Sequence, residues 1–189
     1  MDDLNPPGLL QVAFLRSTVA HGLINAIDAT KARALPGVHA VYTLADLRPV
    51  LTADRLPLQF PSTELPHDIS PFILAGKEVS YVGEAIALVV ADTRYIAEDA
   101  LALIDMDIRE LPAVSDCRDA LLPHAPNVHV HRTGNLLIDF IQSYGDADAA
   151  FEAAPRRLTV NLKQHRGGAH PIEGRGLVAN HDAESDLLT

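Results

Sequence analysis

The hydrophobic pattern of the first 47 residues predicts two strands, a short helix and a further strand. The apolar stretch GLLQVAFLRS begins directly after Pro6-Pro7, which is typical of a strand that follows a turn. Asp28 is predicted to cap the helix, because its carboxylate can accept hydrogen bonds from the exposed amides of a first turn. Pro36-Gly37 is expected to end that helix. The predicted elements are strands 8–17 and 22–28, helix 29–35 and strand 38–47.

The middle of the chain combines a long irregular connection with further regular elements. Residues 48–75 carry five prolines and no sustained period, and connections of this length are usually functional, interface-forming or disordered. The unbroken apolar run AIALVVA is typical of a strand that is covered on both faces. Asp92 or Thr93 is predicted to cap the helix that follows, which has its apolar residues on one face. The predicted elements are strands 78–82 and 85–91, helix 94–103 and strand 103–108, with Pro112 at the end.

A change in composition at residues 122–135 predicts a linker between two units. This stretch, LPHAPNVHVHRTGN, is rich in Pro, His and Asn. Asp146 is predicted to cap a short helix that Pro155 ends. The residues after the linker hold too little apolar surface to close a core of their own, so they are expected to open a larger domain. The predicted elements here are helix 146–154 and strands 156–164 and 176–182, followed by a terminal segment 186–189.

Composition and charge indicate a soluble globular chain and narrow the classes of partner. The 189 residues are 48% hydrophobic and include 15 basic against 25 acidic residues, a formal net charge of −10. This charge repels a nucleic-acid backbone, and no apolar run approaches the ~20 residues of a membrane helix. We therefore expect no nucleic-acid or membrane partner, and the acidic N-terminus without a secretory apolar region predicts a cytoplasmic protein. The single cysteine, Cys117, excludes an internal disulfide and a multi-cysteine metal site.

Two short motifs permit a ligand but are better explained as backbone features. The Gly83-Glu84 turn lacks the repeated glycines with which phosphate-binding loops converge their amides, so a junction between strands is the favoured interpretation. His129 and His131 lie at i and i+2 and share one face of an extended chain, an arrangement that a divalent metal can use. No third ligand is spaced nearby in the sequence, so no metal-binding residue is predicted.

Hydrolytic and carrier functions are disfavoured by what the sequence lacks. Ser17, His21 and Asp28 supply the residue types of a catalytic triad, but no G-x-S-x-G nucleophile turn occurs. A biotinyl or lipoyl carrier would need a lysine in the turn at residues 105–107, where the sequence is DMD. No residue of this chain is therefore predicted to be catalytic.

The densest polar cluster lies in residues 164–179, QHRGGAHPIEGRGLVA. Glu173 and Arg175 lie at i and i+2, so on a strand both project to one side and can jointly orient an anionic or hydrogen-bonding group. The alternative, which we favour, is a structural ion pair that anchors the end of a strand. If this cluster does line a pocket, the candidate residues are His170, Glu173 and Arg175.

Five stretches, taken in order, resemble one known family. They are LLQVAFLRSTVAHGLINAIDATKARALPGVHAVYTLADL, YVGEAIALVVADTRYIAEDAL, ELPAV, GDADAAFEAA and HPIEGRGLVA. Their order is similar to that of the large, molybdenum-carrying subunit of the molybdenum hydroxylases, the family of xanthine dehydrogenase, aldehyde oxidase and aerobic carbon monoxide dehydrogenase. The resemblance implies an α+β chain with an α/β-hammerhead domain over residues 1–121, the linker 122–135, and the incomplete start of a molybdopterin-binding domain over residues 136–189.

The resemblance also implies a chemistry and a set of partners. The full-length protein is expected to hydroxylate an aldehyde, an N-heterocycle or carbon monoxide with molybdopterin-bound molybdenum, and to pass electrons to iron–sulfur and FAD units on partner subunits or domains. Because the family's general base and pterin loops lie outside this chain, the chain alone is expected to bind no cofactor and to be inactive. The remainder of the large subunit and the iron–sulfur and flavin subunits are the expected partners. The competing hypothesis is a non-catalytic interaction or scaffold module, whose loop 48–75 and acidic surface bind a protein.

Overall fold

A computed structural model describes residues 5–57, 69–164, 167–168, 170–172 and 174–189. The chain divides into two compact units, Gly8–Asp139 and a second unit that contains Phe140–Thr189. Alternating strands and short helices form the first unit. In chain order they are β1 (Gln11–Arg16), β2 (Gly22–Asp28), α1 (Thr30–Arg33), β3 (Val38–Thr43), α2 (Leu44–Leu47), β4 (Glu78–Val79), β5 (Ala85–Ala91), α3 (Arg94–Leu101) and β6 (Asp105–Glu110).

Two small antiparallel sheets form the frame of the first unit. Within the described part of the chain, one sheet has the strand order β1-β5-β3 and the other has the order β4-β2-β6. The central position of β5 agrees with its unbroken apolar sequence, since a central strand has neighbours on both edges and is covered by other elements. The mixed α and β architecture confirms the fold class that the sequence predicts.

The main core lies between the first sheet and helix α3. Val89 of β5 and Ala97 and Ala100 of α3 are all 0% exposed, and the small alanine side chains let the helix pack closely on β1 and β5. Burying a valine side chain of this kind contributes about 1.5 to 3 kcal/mol. Thr93 begins the helix, because its side chain accepts a hydrogen bond from the Ile96 amide at 3.2 Å. The predicted cap at Asp92 or Thr93 is thereby confirmed for Thr93.

A smaller core cluster connects the second sheet to strand β5. Val79 of β4 and Ile86 of β5 are both 0% exposed and pack with Ala75. Partly buried side chains of β2 and β6, including Ile24 and Ile108, complete the cluster. The short strand β4 is therefore held by packing as well as by its pairing with β2.

Two local predictions in the first unit are wrong in detail. Residues 44–47 form helix α2 instead of continuing β3, because the Asp46 carboxylate accepts hydrogen bonds from the Thr43 amide and hydroxyl at 2.8 and 2.7 Å. This arrangement satisfies a helix N-terminus and turns the chain out of the strand. Helix α1 starts one residue later than predicted, with Ala29 at the N-cap position, while the Asp28 carboxylate accepts from the Thr30 amide at 2.9 Å.

The second unit contains few regular elements in its described residues. Helix α4 (Ala147–Ala153) is capped by Asp146 as predicted, with its carboxylate accepting from the Ala149 amide at 2.9 Å. Residues 156–164 form no strand, and they are exposed. Of the predicted strand 176–182, β7 (His181–Asp182) alone is formed, paired with β8 (Leu187–Leu188). Without a buried face or a long partner strand, an apolar sequence does not specify a sheet.

Residues 122–135, predicted as a linker, are held by specific hydrogen bonds in the first unit. The Asn135 side-chain amide donates to the carbonyl oxygens of Ala120 and Pro126 at 3.0 and 2.9 Å, and its oxygen accepts from the Val128 amide at 2.8 Å. The segment is thus an ordered set of turns. Across the described residues, no helix is both long and apolar enough to cross a membrane.

Candidate functional site

His21 joins three separate parts of the first unit through its imidazole ring. The residue is 5% exposed and directly precedes β2, which pairs with β4 on one edge and β6 on the other. Its Nδ1 lies 2.8 Å from the Pro112 carbonyl oxygen, and its Nε2 lies 2.9 Å from Oε1 of Glu78. Both partners are oxygen atoms that accept hydrogen bonds, so the ring connects strand β4 to the segment that follows β6.

Glu78 on β4 also contacts the turn at residues 128–132. The Glu78 side chain is 14% exposed, and the same Oε1 atom accepts a hydrogen bond from the Val130 amide at 2.8 Å. On the neighbouring residue, Nδ1 of His129 lies 3.3 Å from the Ser80 hydroxyl oxygen. The Glu78 carboxylate, which contacts the buried His21 ring, thus holds the backbone between His129 and His131.

These contacts bring Glu78, His129 and His131 into one cluster. One potential ligand atom from each residue lies within 4.8 Å of the other two, and the two imidazole ring centroids are 5.5 Å apart. Burial lowers the pKa of His129, against the opposing influence of the Glu78 carboxylate. The lowered pKa favours the neutral imidazole. The sequence pattern identified the two histidines, but the third member comes from a strand that lies far away in the chain.

The Gly83-Glu84 turn has the geometry of a strand junction. Gly83 has a φ of 92°, a conformation that glycine adopts readily. Its amide donates to the Ser17 carbonyl oxygen at 2.7 Å, and the Ser17 amide donates to the Glu84 carbonyl oxygen at 2.8 Å. The Glu84 carboxylate is turned inward and accepts from the Ser80 amide at 2.6 Å. Burial raises the pKa of Glu84, and the nearby Glu78 raises it further.

Ser17, His21 and Asp28 are not assembled into a catalytic triad. The Ser17 hydroxyl donates to the Val19 carbonyl oxygen at 2.7 Å. His21 is occupied by Pro112 and Glu78 as described above, and Asp28 accepts from the Thr30 amide. Each of these side chains stabilises a turn or a strand junction.

The pocket candidates of the second unit are not brought into an enclosed site by the described residues. His170 and Arg175 are both exposed, and Glu173 lies outside the residues that the structure describes. A pterin cofactor needs a concave site with converging polar groups, and two exposed side chains do not provide one. The described residues therefore do not fit molybdopterin, and the roles of His170, Glu173 and Arg175 stay predictions.

Comparison with known proteins gives the same assignment along the chain. The family model for the aldehyde oxidase and xanthine dehydrogenase a/b hammerhead domain matches residues 1–112. The carbon monoxide dehydrogenase large chain of Afipia carboxidovorans is 42% identical over 203 residues, covering 100% of this chain and 24% of that protein. The xanthine dehydrogenase molybdenum-binding subunit of Escherichia coli O157:H7 is 32% identical over 155 residues, covering 81% of this chain and 20% of that protein.

A solved structure supports the same conclusion at the level of the fold. Quinoline 2-oxidoreductase from Pseudomonas putida 86 superposes with a TM-score of 0.68 at 33% identity, covering 82% of this chain and 19% of that one. The chain spans between 20 and 24% of the length of the two curated relatives above. It resembles the N-terminal region of molybdenum hydroxylase large subunits, which confirms the resemblance seen in its sequence. The chain belongs to the aldehyde oxidase and xanthine dehydrogenase family, with its a/b hammerhead domain in residues 1–112.

Proposed function

We propose that this chain supplies the hammerhead domain, and the start of the molybdopterin-binding domain, to the large subunit of a molybdenum-dependent oxidoreductase. The observation that carries the proposal is the match of residues 1–112 to the family's hammerhead domain, together with 42% identity to a carbon monoxide dehydrogenase large chain over 100% of this chain. The proposed limits are residues 1–121 for the first domain, 122–135 for the linker and 136–189 for the second domain.

The proposed reaction is hydroxylation of an aldehyde, an N-heterocycle or carbon monoxide. The names of the family and of two similar proteins support the three substrate classes: the family is named for aldehyde oxidase, one relative is a carbon monoxide dehydrogenase, and the solved structure is that of a quinoline 2-oxidoreductase. Molybdenum is supported by the molybdenum-binding subunit of xanthine dehydrogenase among the relatives. The metal centre would supply the redox chemistry in the complete protein.

The contribution of this chain is architectural. The buried core between β5 and α3 and the network around His21 provide a rigid unit on which the rest of a large subunit can be positioned. Catalysis by the chain alone is not proposed, because the described residues do not fit the cofactor. The proposed partners are the remainder of the large subunit and companion subunits that carry iron–sulfur clusters and FAD, in keeping with the name large chain of a relative.

Metal analysis of the complete protein tests this function. The large subunit that contains this sequence would be purified together with its partner subunits from cells grown with ample molybdate. We expect stoichiometric molybdenum and dye-linked oxidation of at least one substrate among an aldehyde, an N-heterocycle and carbon monoxide. The 189-residue chain, prepared in parallel, is the control and should oxidise none of them. A complete protein without molybdenum would refute the proposal and leave an interaction module as the remaining hypothesis.

A further inference from the structure

We propose that Glu78, His129 and His131 form a binding site for one divalent transition-metal ion of the zinc class, separate from any molybdenum chemistry. The three residues lie in the first unit and come from strand β4 and from the turn at residues 128–132. Two imidazole nitrogens and one carboxylate oxygen are a ligand set that zinc uses in proteins, with the fourth position open to water. Magnesium and calcium prefer oxygen ligands, so they are not the expected ions.

The geometry requires small movements of the three side chains. The ligand atoms lie within 4.8 Å of one another, and a point equidistant from three atoms at that separation is about 2.8 Å from each. Zinc–nitrogen bonds are about 2.0 to 2.1 Å long, so each donor atom has to move inward by about 0.7 to 0.8 Å. His131 is the exposed member of the cluster, while Glu78 and His129 are partly buried. The site is therefore nearly assembled before a metal binds.

Two hydrogen bonds fix the position of the Glu78 carboxylate in the proposed site. Oε1 accepts from Nε2 of His21 and from the Val130 amide, at 2.9 and 2.8 Å. These two contacts leave Oε2 as the oxygen that can turn toward a metal. Since Val130 lies between the two histidines, its hydrogen bond holds the backbone that carries both imidazoles close to the carboxylate. Hydrogen bonds of this kind to a ligand commonly orient it and tune its affinity for the metal.

The charges around the cluster are compatible with a cation of moderate affinity. Glu78 supplies one negative charge, while the positive charges of Arg55 and Arg132 act on His129 and oppose a further cation. A bound ion would tie strand β4 to a turn about 50 residues later, and such a cross-link stabilises the folded unit.

Zinc titration of the 189-residue chain tests the site. We expect binding of one zinc ion per chain by isothermal titration, a rise in melting temperature with zinc concentration, and a four-coordinate visible spectrum when cobalt(II) replaces zinc. Magnesium and calcium at the same concentrations should not displace the ion. The proposal would be overturned if the chain showed no saturable zinc binding, or if calcium displaced the bound zinc at the same concentration.

Matched histidine variants distinguish this site from general surface binding. His131→Ala alters an exposed residue, so the fold should be retained, and zinc affinity should fall by about tenfold or more with loss of the zinc-dependent rise in melting temperature. His124→Ala removes another exposed histidine of the same segment, and Cys117→Ser removes an exposed thiol. Both controls should bind zinc like the parent chain. If His131→Ala and His129→Ala bind zinc as tightly as the controls, the three residues do not form the site. Neither result depends on the molybdenum content of the complete protein.

Discussion

Replacing His21 with alanine should destabilise the first unit, because this one buried ring contacts two acceptors that lie far apart in the chain. In His21→Ala, the Pro112 carbonyl oxygen loses the ring nitrogen at 2.8 Å, and the Glu78 carboxylate loses the ring nitrogen at 2.9 Å while keeping the Val130 amide. The two side chains of this ion pair are only 6% and 14% exposed, so water cannot fully replace the lost partner.

The expected loss of stability in His21→Ala follows from these two lost contacts. Removing one member of a buried ion pair typically costs about 3 to 5 kcal/mol, and an unsatisfied buried acceptor costs about 1 to 3 kcal/mol. These values overlap and are not additive, and Glu78 retains one hydrogen bond. We therefore expect a loss of about 3 kcal/mol. A domain of this size is usually stable by about 5 to 15 kcal/mol, so the variant should still fold at low temperature but with a much reduced margin.

Urea unfolding followed by far-ultraviolet circular dichroism measures this loss. His39→Ala is the matched control, because His39 forms the same kind of pair with Asp92 at 2.6 Å, but with side chains that are 50% and 55% exposed. Exposed pairs contribute about 0 to 1 kcal/mol, so the control should change little. The double variant His21→Ala/Glu78→Gln should lose less than the sum of the single variants. A loss below about 1 kcal/mol for His21→Ala would show that the network is not a stabilising element, given the buried pair's usual cost.

Three further substitutions test the core, a close strand contact and a buried charge. Ile86→Ala should cost about 2 to 5 kcal/mol in urea unfolding, since Ile86 is 0% exposed, whereas Ile172→Ala, at a fully exposed position, should change stability by less than about 0.5 kcal/mol. Gly22→Ala should lower the melting temperature and cost about 1 to 3 kcal/mol of stability, because the added Cβ would lie 2.7 Å from Cγ2 of Ile108. An unchanged melting temperature would contradict the close packing of β2 and β6. Glu84→Gln should stabilise the unit at neutral pH, because burial raises the pKa of Glu84 and folding therefore disfavours its charged form. The gain in stability should shrink as the pH falls through the raised pKa of Glu84 toward the ordinary glutamate range. Thermal unfolding at several pH values measures this dependence, and a gain that grows in acid would contradict the prediction.

The elements that the sequence predicts correctly are those with strong local determinants. Helix α3 begins at Thr93, whose side chain bonds the first turn, and α4 begins at Asp146 for the same reason. Strand β5 is recognisable from the apolar run of residues 85–91 alone. Capping and unbroken hydrophobicity depend on neighbouring residues, so they are visible without any knowledge of the tertiary structure.

The elements that the sequence misplaces are those in which a local pattern competes with another interaction. Residues 44–47 have an apolar alternation that suits a strand, but the hydrogen bonds between Thr43 and Asp46 favour a helical turn. Residues 156–164 have strand-like composition but form no strand within the described chain. Strand propensity largely reflects packing against neighbours, so it fails where the neighbouring surface is missing.

The amino-acid sequence alone determined the membership of this chain in its family, its α+β class and the existence of most elements of the first unit, because those properties reside in the order and periodicity of short segments. The tertiary structure alone decided which polar side chains meet. Strand β2 pairs with both β4 and β6, which places His21 against Glu78 and Pro112 across separations of 57 and 91 residues. The same pairing presents Glu78 to the two histidines of a distant turn. The spacing of residues in the sequence does not predict these contacts, since they depend on which antiparallel strands pair in the folded chain.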